Sequence, residues 1–171
     1  MSARYIVCDT SMLDSYLKIP GKDQYSAEVL SRMDELSTHD SCSIYLPWAA
    51  IIECGNHIVQ MPKTHGGMVH QKAKKLSMLV RMCLDGESPF SSLGIWDEQQ
   101  LRGILSEYPE NAISGIGMGD TAILSDCRNL CKRLQLRDEE MIELWTYDRQ
   151  LENRFLSQRS SWMVGATGQT I

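Results

Sequence analysis

Three acidic residues follow stretches that end abruptly: Asp9 after the apolar run Tyr5 to Cys8, Asp120 after the glycine-rich stretch Ser114 to Gly119, and Asp148 at the close of Thr146-Tyr147-Asp148. A fourth, Glu53, follows Ala49-Ala50-Ile51-Ile52 and is the only acid between Asp40 and Asp85. Carboxylates brought to one edge repel unless a hard cation neutralises them, and oxygen ligands with open water positions suit Mg²⁺ or Mn²⁺. Such an ion orients a phosphodiester, activates a water and stabilises charge on the leaving oxygen, so the expected chemistry is phosphodiester hydrolysis.

Thr10, Ser11 and Thr146 carry hydroxyls suited to orienting those carboxylates, or equally to local capping. His57, one turn after Glu53, is read as a supporting or plain surface histidine, because the full H-E-x-x-H arrangement is missing. Each acid also has a purely structural alternative. Asp9, Asp120 and Asp148 are all suited to capping a helix, and Glu53 to a solvated helix face. Asp126, six residues and about 240° around the same helix from Asp120, is placed outside the cluster.

Other chemistries fit less well. A phosphatase with Asp9 as nucleophile expects an acid where Ser11 stands, and a D-x-S-x-S metal site fails at Leu13. The loop G-I-G-M-G lacks the G-K-[ST] ending of a P-loop. Lys72, Lys74, Lys75 and Arg81 form the main basic cluster, a weak candidate for RNA contact, and Arg128, Lys132 and Arg133 a second; a charged helix face is ordinarily just solvated.

Alternating elements are needed to position the acids. Strands are expected at Tyr5 to Cys8, Ile44 to Leu46, Leu93 to Trp96 and Ile142 to Trp145, with a short last one at Trp162 to Val164. Between them, apolar residues at helical spacing predict helices: after Asp9 through Leu17, around Val29 to Leu36, from Pro47 at the first helical position, from Met68 to Leu84, from about Leu101 up to Pro109, from Asp120 to Leu134, and through Phe155. This pattern predicts an α/β fold, a three-layer α/β/α sandwich with a central parallel sheet of four to five strands. Ligands in such folds bind at the carboxyl ends of the strands.

The 171 residues suit one domain, with residues 1–157 as its body and 158–171 as a C-terminal strand or loose tail. At 43% hydrophobic and 23% charged, the composition is that of an ordinary globular chain. The longest nearly apolar run, Tyr45 to Ile52, falls far short of the ~20 residues of a membrane span, and no signal peptide is recognisable. Six cysteines without a C-x-x-C pair are read as reduced core residues of a cytoplasmic protein. The net charge of −5 excludes a polyanion held by the overall field, so any RNA is held locally or through metal ions.

The segments YIVCDTSML, AAIIE, MGDTAIL and WTYDRQL occur in the order found in PIN domains, and over most of its length the chain resembles that family, in particular its small bacterial toxin-like ribonucleases. In the family the first acid follows strand one, the second lies on a helix, the third opens a later helix, and the fourth follows a strand in a T-x-D pattern. The matching positions are Asp9, Glu53, Asp120 and Asp148. The resemblance implies a metal-dependent endoribonuclease using Mg²⁺ or Mn²⁺, with RNA as substrate. It further implies a toxin paired with an antitoxin protein, and a homodimer formed through helical faces. The alternative is a catalytically weak PIN-like interaction module that binds a protein or RNA partner.

Overall fold

Strand β1 (Arg4–Cys8) sends Ile6 and Cys8 to one side and Val7 to the other, and all three are fully buried. A strand apolar on both faces needs cover on both, and β1 accordingly lies inside a parallel sheet. The computed structural model describes residues 3–39, 41–62 and 66–165. In it β1 pairs with β2 (Cys42–Leu46) and β4 (Ile142–Trp145), and β2 pairs with β3 (Phe90–Ser92). The strand order is β3-β2-β1-β4, all parallel.

Seven α-helices among the described residues connect and cover the strands: α1 (Thr10–Leu17), α2 (Ser26–Ser37), α3 (Trp48–Val59), α4 (Gly66–Asp85), α5 (Glu98–Ile113), α6 (Met118–Arg133) and α7 (Arg149–Gln158). Apolar residues of α1, α2 and α4 pack on the Ile6 and Cys8 side, and those of α5, α6 and α7 on the Val7 side. Helix α3 supplies both, through Cys54 and Ile58 to the first core and Ala49 and Ala50 to the second. The protein is therefore a three-layer α/β/α sandwich, as the alternating pattern predicts. No helix among the described residues is long and apolar enough to cross a membrane.

The chain builds outward from β1 to β2 and β3, then crosses back to lay β4 on the other side of β1. Connections leave the adjacent strands β1 and β4 in opposite directions, which opens a crevice at their carboxyl ends. Asp9 follows β1 directly and Asp148 follows β4 by three residues.

Several boundaries differ from expectation. The third strand is Phe90–Ser92 rather than Leu93 to Trp96, because Phe90 is buried edge-on against Tyr16, while Gly94 at φ 85° breaks the extended chain beyond it. Helix α5 continues through Pro109 to Ile113. The missing N–H costs about 3 kcal/mol in a helix interior. The last turn is nevertheless tied down by buried Asn111, which donates to Thr121 Oγ1 at 3.2 Å and accepts from Arg154 Nη2 at 2.8 Å.

Trp162 to Val164 is no strand. Residues Arg159–Trp162 form a 3₁₀ turn that buries Trp162 against Phe155, and Val164 makes one backbone bond to Leu136. The expected loose tail from 166 onward lies outside the described residues. Pro47 caps α3 instead of occupying its first turn, and Met118 and Gly119 belong to α6, so Asp120 is the third residue of that helix and does not open it. All six cysteines are free thiols, five buried and Cys42 half-buried.

Candidate functional site

Asp9 caps α1 and also lines a cleft beyond the end of β1. Its backbone N–H donates to the Trp145 carbonyl at 3.0 Å, continuing the β1–β4 ladder. Its Oδ2 caps α1 through the Ser11 N–H and accepts from Ser11 Oγ at 2.7 Å and Thr146 Oγ1 at 2.8 Å. Three donors on one oxygen fix the carboxyl group, and Oδ1 accepts nothing from the described residues. The Ser11 hydroxyl in turn accepts from the Tyr147 N–H at 2.9 Å, and Thr146 Oγ1 from the Asp148 N–H at 2.9 Å. Thr146 and Ser11 thus bridge the end of β4 to the end of β1, and each does the capping and the orienting that its sequence position suggested.

Glu53 reaches the same place from α3. Thr10 Oγ1 donates to its Oε2 at 2.8 Å, and its side chain remains 45% exposed. Asp120, half-buried, comes from the first turn of α6. Burial and the neighbouring charges of Asp9, Glu53 and Asp148 push its carboxyl up to about 6, against a backbone hydrogen bond from Gly117. Gly119 completes the approach: a Cβ there would sit 3.5 Å from Glu53 Oε2, so the start of α6 and Glu53 are in contact. Asp148 caps α7, its Oδ1 accepting from the Gln150 and Leu151 N–H groups at 2.7 and 3.2 Å. The four acids line one cleft of about 210 Å³.

Asp14, Lys22, Gln24 and Tyr25 share that cleft and were not singled out from sequence. Asp14 is buried, and its Oδ2 lies 2.6 Å from His57 Nδ1. Burial pushes the Asp14 carboxyl up, while the Cys54 thiol and His57 hold it down. His57 is therefore held from behind, with Nε2 4.0 Å from Glu53 Oε1, a supporting position rather than a free surface one. A signal for Asp14 was present, since it lies four residues after Thr10, on the same side of α1, between the buried Leu13 and Leu17. Lys22, Gln24 and Tyr25 sit in a turn without periodicity and gave none.

The basic residues fall elsewhere. Lys72 is buried and donates from Nζ to the Leu17 carbonyl at 2.7 Å, at the end of α1. Desolvation, and then Lys75, pull its ammonium below the ordinary lysine range. Neither RNA contact nor a solvated face describes it: it caps an orphan helix carbonyl. Replacing it by Met is expected to cost about 1–2 kcal/mol in urea unfolding, since a buried acceptor loses its partner. The salt dependence of RNA binding should not change. Lys74, Lys75 and Arg81 are exposed, outside the cleft lining. Arg128 pairs with Glu107, and Lys132 and Arg133 stand near the far end of α6, about 20 Å from Asp120 for thirteen residues of helix. Asp126 also stands apart from the cluster, hydrogen-bonded to Trp96 Nε1 at 2.9 Å.

Among the described residues, no three or more His, Cys, Asp or Glu side chains stand close enough together to hold a metal ion between them. The donors themselves are all carboxylate oxygens around one cleft, which fits a hard cation that keeps several waters and takes only one or two direct protein ligands. The charge crowding at Asp120 fits the same group.

Thr146 offers a direct check on this architecture. Thr146→Val removes the donor to Asp9 and the acceptor for the Asp148 N–H, and is expected to lower stability by about 1–2 kcal/mol. Mn²⁺ affinity, read by calorimetry, should fall about tenfold or more, as it does when the groups orienting metal ligands are lost.

Compared with models of protein families, with curated proteins and with solved structures, the chain matches none.

Proposed function

We propose that this chain is a metal-dependent endoribonuclease with Asp9, Glu53, Asp120 and Asp148 as its acidic site. The observation that carries the reading is that these four carboxylates, from four separate elements, line one cleft at the crevice beyond β1 and β4, with Asp120 raised to about 6 by burial and by the others. Capping accounts for an acid at Asp9 and at Asp148, but not for Glu53 and Asp120 beside them, and the mutual repulsion of the four opposes the arrangement. The resemblance to PIN ribonucleases supplies the substrate class.

When bound, Mg²⁺ or Mn²⁺ supplies charge neutralisation, activation of the attacking water and stabilisation of the leaving 3′-oxygen. The chain's own residues do the positioning. Ser11 and Thr146 hold Asp9 in one orientation, Thr10 holds Glu53, and the α7 N-terminus holds Asp148. His57, held by Asp14, faces Glu53, and Lys22 brings a positive charge to the cleft for a phosphate. No side chain needs to form a covalent intermediate.

The test is cleavage of labelled single-stranded RNA by purified protein with Mg²⁺ or Mn²⁺, beside an EDTA control. Cutting that needs the metal supports the reading. Binding of RNA or of a protein without any cutting would favour the interaction module instead. Growth arrest on expression, relieved by a small co-encoded protein, would extend the proposal to the toxin of a toxin–antitoxin pair; unhindered growth would remove that role.

A further inference from the structure

Beside the acidic cleft lies a groove of different character. It has a volume of about 550 Å³, within the range of ligand sites, and is walled mainly by apolar side chains of α3, α5 and α6. Glu53 and Asp120 line both hollows, so the groove begins where the carboxylates end. Ile52, Leu101, Leu105 and Met118 wall it while remaining 54%, 42%, 58% and 41% exposed. Four such side chains around one hollow give the groove an apolar wall that solvent reaches.

Trp96 also lines the groove. Its indole N–H donates to Asp126 Oδ1, and Asp126 is 5% exposed, with Oδ2 receiving no hydrogen bond from the described residues. A buried acid far from the cluster thus has a purpose: it fixes the orientation of an aromatic ring at the groove wall.

The occupant must be apolar and must not add negative charge next to Glu53 and Asp120, and, on the reading of the cleft as an RNA phosphodiester site, it must be joined to the phosphate that the cleft receives. An unpaired nucleobase meets all three conditions. It is neutral, has two π faces, and is linked through one sugar to a phosphate. We propose that the groove is a base-binding subsite for an unpaired nucleotide beside the scissile phosphate, with Trp96 as its stacking surface and Asp126 as the residue that positions Trp96. This rests on the reading of the cleft as an RNA phosphodiester site. It favours a substrate that is single-stranded at that position, since a paired base enters only after a costly unpairing and unstacking.

The experiment uses a labelled phosphorothioate hexaribonucleotide, intact or with one abasic position moved along it, with binding read by anisotropy in Ca²⁺ and cleavage of the ordinary hexamer read in Mn²⁺. For the unaltered protein, one abasic position is expected to weaken binding about tenfold, at the lower end of what a base–aromatic stack contributes. Leu105→Glu should weaken the intact hexamer by a similar factor and remove the sensitivity to the abasic position. Ile52→Ser should do the same more weakly. Both side chains are more than half exposed, so an unchanged unfolding midpoint checks that the fold is retained. If the unaltered protein cleaves RNA but Leu105→Glu binds and discriminates like it, the subsite is overturned and the nuclease reading stands. If the unaltered protein neither binds nor cleaves any RNA, the nuclease reading fails and takes the subsite with it. A protein partner seated in the groove that leaves hexamer binding unchanged would also overturn the proposal.

Discussion

Asp9→Asn is expected to lower metal-dependent RNA cleavage at least about a hundredfold while leaving the protein folded. A metal ligand carries several kcal/mol of transition-state stabilisation, and each 1.36 kcal/mol is a factor of ten. The amide keeps an oxygen that can accept from Ser11 and Thr146, so the cap on α1 and the bridge to β4 survive. The substitution therefore removes charge with little change in shape. Single-turnover rates in Mn²⁺ read the first effect and thermal unfolding the second. A rate within threefold of the unaltered protein would remove Asp9 from the chemistry. Asp9→Ala, by contrast, should also cost about 1 kcal/mol of stability through loss of the cap.

The second large effect is a dependence of stability on pH and metal. Asp120 has its carboxyl raised from the ordinary 3.8 to about 6 in the folded protein, so the folded state holds this proton more tightly than the unfolded chain. The stabilisation linked to it is fully present below about pH 4 and is lost as pH rises through 6. Two pKa units correspond to nearly 3 kcal/mol, and allowing for water around a partly exposed carboxyl leaves on the order of 2 kcal/mol. For a chain of this length that is a melting shift of about 4–8 °C.

Asp126 is also raised to about 6, by burial, and contributes in the same direction. The Asp120 contribution is isolated by comparison with Asp120→Asn, which should be more stable than the unaltered protein at pH 7.5 and no more stable at pH 4. Millimolar Mn²⁺ should raise the melting temperature of the unaltered protein at pH 7.5, by mass action on the folded state, and do so far less for the variant. Identical pH profiles for the two proteins would mean that neither burial nor the other three carboxylates raise Asp120.

Most of the fold was legible because burial leaves a periodic trace. Val29, Met33 and Leu36 recur at helical spacing and form the buried side of α2, and Leu76, Leu79 and Cys83 do the same for α4. Short apolar runs at 5–8, 44–46 and 142–145 became strands. The misplaced third strand shows the limit of that signal. Both Phe90 and the Leu93 to Trp96 segment are apolar, and the packing of Phe90 on Tyr16 together with pairing to Ile44 to Leu46 selects Phe90–Ser92. The continuation of α5 past Pro109 likewise depends on Thr121 and Arg154, which are distant in sequence.

For the site, the sequence by itself determined which acids follow strands or begin helices, and that hydroxyls stand beside them at positions 10, 11 and 146. Tertiary structure alone decided that β4 lies next to β1, which brings Thr146 to Asp9 across 137 positions of chain. It also turned Lys72 inward onto α1, placed Asp14 behind His57, and set an apolar groove beside Glu53 and Asp120. The physical reason is the same in each case. Local sequence records how each element divides its surface between core and water, whereas the partner each face meets follows from packing between elements far apart in the chain.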